Sequence, residues 1–288
     1  MKIIFSRKGF DAGTGKVPSP IFESGEFCSL PILEQAEYVG CRRFSELRFG
    51  EHALGQVVHD LTRGKIQPDA PVHLDPDLHA PSVSRQAGWK PVFGQAGAAE
   101  GHLQKQGVGE GDIFLFYGWF RRVMLRNRRY CYIPDAPDVH VLFGWLQIER
   151  RIPLTQRECI PQWAQEHSHA QRDQQHHYDS IYIAADSLRL PGCVTALPGA
   201  GIFRRFCPSL CLTEMEPYVS RRYWRMPKWM YPGEGKQALT YHEDRGWWTL
   251  REDGVLLKTV GRGQEFVLDC DEYPEAVAWV ADLLSNHT

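Results

Sequence analysis

Two stretches, GDIFLFYGWFRR and DVHVLFGWLQIERR, constrain this chain more than any other part of it. Each is a long apolar run without regular polar alternation, and each carries Gly-Trp near its middle, Gly118-Trp119 and Gly144-Trp145. Successive residues of a strand point to opposite sides, so residues 113–120 and 139–148 read as strands buried on both faces. Strands of that kind occupy the middle of a covered sheet. The repeated glycine marks a bulge, or a spot where backbone or ligand comes close. The connection, residues 121–137, is too long for a tight hairpin turn and reads as a looped one. It carries five arginines, and no acid occurs between Ile113 and Pro134.

Other elements fall around this pair. Residues 2–5 read as an opening strand that runs into a polar loop. EHALGQVVHDLTRG places Leu54, Val57, Val58 and Leu61 at helical spacing and stops at Gly64. Residues 65–90 are dense in Pro and Asp and read as an extended loop. FGQAGAAEGHLQKQG reads as a short helix weakened by glycine, and residues 158–179 as a polar helix or loop. A strand is expected at 180–185, and a hairpin around Asp253-Gly254. Pro274 opens a closing helix with Val277, Val280, Ala281 and Leu284 on one face.

Net charge is −2, so no global field draws the chain to nucleic acid, and any such affinity must be local. Eight cysteines form no C-x-x-C pair, which points to reduced thiols in a cytoplasm. The apolar run at the start is too short for a signal peptide, and no run reaches membrane-spanning length.

The loop after the first strand offers Ser6, Arg7, Lys8 and Asp11. It is not a phosphate loop of the Walker type: Phe10 stands where a Gly is needed and Val17 where Ser or Thr is needed. Arg7 or Lys8 could still contact an anion at a strand end. Arg121 belongs to the arginine connection. A second cationic cluster, Arg204, Arg205, Arg221, Arg222, Arg225 and Lys228, interleaves with Tyr223, Trp224, Trp229 and Tyr231. Guanidinium groups neutralise phosphates and flat rings stack on bases, so the mixture suits nucleic acid. The bland alternative is arginine stems covering tryptophan faces, or an acidic protein partner.

His73-x-Asp75-x-Asp77 and His167-x-His169, with Asp173, His176 and His177, form two polar groups without a strong metal spacing. Either group could bind metal, but a polar loop or capping role is the favoured reading of both, and no metal ligand is assigned. His140 sits in an apolar strand in line with Leu142 and Gly144, so its ring would point toward the space the glycine leaves. It is either a core histidine or a contact to a base. Arg262 and Gln264 suit base edges, and Glu265 could handle a proton or pair with an arginine.

The motifs MKIIFSRKGFD…PSPI, HLDPDL, FGQAGAAEGHL, GVGEGDIFLFYGWFR, DVHVLFGWLQI and GRGQEFVLD, in that order, resemble the third of the nucleotide-modification-associated domain families. The resemblance runs from residue 1 to about residue 270. It implies a part in making hypermodified DNA bases, or in defence against them, in bacteria, phages and mobile elements. The positions carrying it are Ser6, Arg7, Lys8, Asp11, His73, Asp75, Asp77, Gln95, His102, Trp119, Arg121, His140, Trp145, Arg262, Gln264 and Glu265. The run from Gly109 to Ile148 is also similar to the core of base-binding barrels of the PUA and EVE kind.

The expected fold is therefore one α+β domain over residues 1–288, with a C-terminal helix. Its centre is a mixed, largely antiparallel sheet, or a PUA-like barrel. The expected function is an enzyme acting on a DNA base or nucleotide, its reaction and cofactor left open. Ser6, Arg7, Lys8, Arg121, Arg204, Arg205, Arg225, Arg262 and Gln264 would hold the nucleic acid. Tyr117, Trp119 and Trp145 would wall the base, and Asp11, His140 and Glu265 would move protons. The partner is DNA or nucleotide, without a membrane. The alternative is a non-catalytic reader of modified bases.

Overall fold

The computed structural model describes residues 1–35, 38, 41–171, 178–233, 235–261 and 265–287. Its frame is a nine-stranded sheet built on the two long apolar runs, which form strands Ile113–Arg126 and Val139–Pro153. They pair antiparallel, with a bulge between Leu142 and Gly144. Lys2–Arg7 and then Ser19–Ile21 run parallel along the far edge of Ile113–Arg126. Glu265–Asp269 pairs antiparallel with Lys2–Arg7 and closes that side. On the other side Asp179–Ala184 joins Val139–Pro153, and Val92–Ala96 lies beyond it. The sheet is mixed, mainly antiparallel and open, so of the two expected architectures it takes the sheet and not the barrel.

Both faces are covered, as the unbroken apolar runs require. One face receives the closing helix Glu275–Ser285 and a three-stranded sheet that contributes the fully buried Trp224. Trp224 stands edge-on to Tyr117 at 4.8 Å, and Phe5 packs on it at 6.0 Å. The other face receives the helix Gly97–Lys105 and the rings of Phe27 and Phe93. A second apolar cluster around Phe44, Leu54, Val57 and Val58 supports the early helix Leu54–Leu61.

The arginine connection differs from the looped hairpin expected of it. Ile113–Arg126 continues straight through it and turns at Asn127-Arg128 into Arg129–Tyr132. Both turn residues have positive φ, 51° and 63°, the pairing that lets a two-residue hairpin follow strand twist. The two conspicuous glycines admit backbone. A Cβ at Gly118 would stand 2.9 Å from the Lys8 carbonyl oxygen, and one at Gly144 would stand 2.8 Å from that of Gly201. All eight cysteines are free thiols. Among the described residues no helix is long and apolar enough to cross a membrane.

Candidate active site

Strand alternation sorts the expected site residues onto two faces of the sheet. Ser6 pairs with Glu265 across the first ladder, and the side chain of Lys8, two residues on, points the same way. The Glu265 side chain is 1 % exposed. Its Oε1 accepts from Ser6 Oγ at 3.1 Å and from the Gln95 side-chain amide, and lies 3.1 Å from Lys8 Nζ. The Lys8 ammonium also rests over the Phe93 ring, 4.5 Å from its centre. Among the described residues Glu265 Oε2 is buried and has no hydrogen-bond partner. Burying an acceptor without a donor costs about 1–3 kcal/mol, more for a charged group, so this oxygen is the unusual feature of the centre. Arg262 and Gln264, just before it, lie outside the described residues, as do Asp173, His176 and His177.

Arg7, Tyr117, Trp119, Arg121 and His140 belong to the opposite face. His140 pairs with Trp119, and its Nδ1 accepts the Trp224 indole N–H at 3.0 Å. Burial, with the charges of Arg221, Arg7 and Arg222, holds His140 well below its usual pKa. It does not face the space beside Gly144, because the bulge between Leu142 and Gly144 reverses the alternation. Burial likewise pushes the Tyr117 hydroxyl up. Trp145 is 2 % exposed, donates to the Pro198 carbonyl and is packed by Phe203 and Gly201, which places it in the core. Trp119 is half-buried, with the Arg221 guanidinium 4.3 Å from its ring centre.

The remaining residues stand apart. Asp11 Oδ1 accepts the backbone N–H groups of Gly13 and Thr14, which fixes its own turn, while Oδ2 lies 3.9 Å from Arg7. Arg121 bonds the Ile133 carbonyl, Arg205 that of Ser24, and Arg225 pairs with Asp253. Arg204 is exposed. Among the described residues the cations therefore do not gather on one cleft.

The two polar histidine groups, expected as separate loops, do meet. His73, Asp75 and His169 bring one ligand-type atom each within 4.8 Å of one another. His73 Nδ1 lies 3.0 Å from Glu34, and His169 Nδ1 lies 2.8 Å from Asp179. Sequence reading missed this centre because its parts come from chain segments about a hundred residues apart.

Residues 2–269 match the family described as nucleotide modification associated domain 3. The chain belongs to this family. No curated protein and no solved structure matches it. Both polar centres lie within the part that matches the nucleotide modification associated domain, as do Gln95 and Lys8.

Proposed function

We propose that this protein modifies a DNA base or nucleotide that presents an N–H to the free oxygen of Glu265. The observation that carries the reading is the lopsided carboxylate. Three donors crowd Oε1, and Oε2 is left buried with nothing to accept. A ring N–H or exocyclic amino group of a base is a donor of the right kind. Lys8 supplies the countercharge, and Ser6 and Gln95 fix the carboxylate plane. Thus oriented, Glu265 can take a proton from the bound base or return one. Family membership supports nucleotide chemistry as the setting.

The test incubates wild type and Glu265→Gln with plain and modified DNA and candidate group donors, then digests to nucleosides for mass spectrometry. Wild type should yield an altered nucleoside, and the variant should lose about 10²–10⁴-fold in rate. An unaltered nucleoside pool under every donor, together with no nucleotide binding, overturns the proposal. The second reading, a reader of modified bases, draws on Trp119. Its indole N–H has no partner among the described residues, and Arg221 lies over its ring. Base-selective binding that survives Glu265→Gln but fails in Trp119→Ala selects that reading.

A further inference from the structure

We infer that His73, Asp75 and His169 form a binding site for a divalent transition-metal ion. Hydrogen-bond partners assign which ring nitrogen carries the proton. His73 Nδ1 faces the Glu34 carboxylate at 3.0 Å and His169 Nδ1 faces that of Asp179 at 2.8 Å. A carboxylate only accepts, so both Nδ1 atoms bear hydrogen, and Nε2 is the atom each ring turns inward. Those two atoms face Asp75 Oδ2, at 3.7 Å from His73 and 3.5 Å from His169. Three ligand-type atoms thus converge in a buried space.

The distances choose between a proton and a metal ion as the cation that holds them. An N–H between ring and carboxylate would draw the atoms to about 2.7–3.2 Å, as the outward bonds at 2.8 and 3.0 Å show. Ligands of a tetrahedral ion with bonds near 2.1 Å stand about 3.4 Å apart, close to what is observed. Carboxylates behind metal-binding imidazoles are the usual orienting partners, and Glu34 and Asp179 stand in those places.

The surroundings are built for this arrangement. The other oxygen, Asp75 Oδ1, accepts the Gly94 N–H at 2.7 Å and lies 3.7 Å from His167 Nε2. His167 Nδ1 accepts the His169 backbone N–H, which helps to hold the His169 segment beside Asp75. Gly94 also leaves the room that the His169 ring fills, since a Cβ there would stand 2.3 Å from the ring. Asp75 borders an apolar cavity of about 100 Å³ with Phe49, Leu78 and Phe143, which leaves space beside the three ligands. Two imidazoles and one carboxylate suit zinc, iron(II) or cobalt(II) over calcium or magnesium.

The site is independent of the role proposed for Glu265, and so is its test. Metal-stripped full-length protein is titrated with Zn²⁺ by calorimetry and with Co²⁺ by visible absorption. The expected result is one ion per chain, with cobalt bands that report nitrogen ligation. Asp75→Asn and His169→Ala should abolish tight binding. Asp179→Asn keeps all three ligands and should weaken binding roughly 10–100-fold. It remains informative if a ligand variant fails to fold, a point checked by circular dichroism. His79→Ala, outside the three, should bind as wild type does. No stoichiometric binding by wild type, or equal binding by wild type, Asp75→Asn and Asp179→Asn, overturns the assignment.

Discussion

Glu100 and Glu265 are both buried glutamates, 0 % and 1 % exposed, and they differ in how their oxygens are spent. Glu100 Oε1 accepts from Ser180 at 2.8 Å and from Arg151 and Gln104, each at 2.9 Å, while Oε2 accepts the Tyr182 hydroxyl at 2.7 Å. Glu265 directs all its donors to one oxygen and leaves the other bare. The first is a closed network of the kind that holds a core together. The second has the same burial but an open valence, and an open valence needs something from outside the fold. Burial of an acid alone does not mark function; an unmatched lone pair does.

The comparison breaks most visibly at Glu100. Glu100→Ala strands the Ser180 and Tyr182 hydroxyls and the Arg151 charge, and should lower unfolding free energy by about 3–5 kcal/mol in urea titrations. A loss below about 1 kcal/mol would mean the network is not closed in the sense argued.

Acid sharpens the contrast with a third buried polar group, His242. Its Nδ1 faces the Thr240 carbonyl at 3.0 Å and its Nε2 accepts the Val260 N–H at 3.2 Å, so the neutral ring is fully used. Burial lowers its pKa to about 4. The folded value lies below the unfolded one of about 6.5, so stability is full above that pH. It is lost as pH falls toward 4, by up to about 3 kcal/mol. His242→Gln can keep both hydrogen bonds and should flatten this part of the pH–stability curve, measured by thermal unfolding. An unchanged slope would assign the acid loss elsewhere.

The smallest effect is expected at the surface. Arg225 and Asp253 pair with side chains 53 % and 63 % exposed. Arg225→Ala should change stability by no more than about 1 kcal/mol and leave nucleotide binding as it was. A tenfold loss of affinity would return the outer cations to the site.

Much of the frame was legible because apolar runs and helix signals are local. The two long strands, the closing helix and the hairpin near Asp253-Gly254 fall where periodicity placed them. The continuation of Ile113–Arg126 through the arginines was not legible: exposed strand residues there carry charge, and the turn at Asn127-Arg128 lacks the usual glycine. The site was legible in part. Ser6, Lys8 and Glu265 were singled out and converge, yet the bulge before Gly144 sends His140 to the other face. One inserted residue reverses which side chains share a face, and no residue type announces it. The meeting of His73, Asp75 and His169 depends on tertiary packing between distant segments, which spacing within either group does not encode.

The most direct test of the central claim is a crystal soaked with nucleotides, read at Glu265. The account predicts a base whose N–H lies about 2.9 Å from Oε2, with Lys8, Ser6 and Gln95 still on Oε1. A nucleotide bound elsewhere, with Oε2 as bare as before, would contradict it.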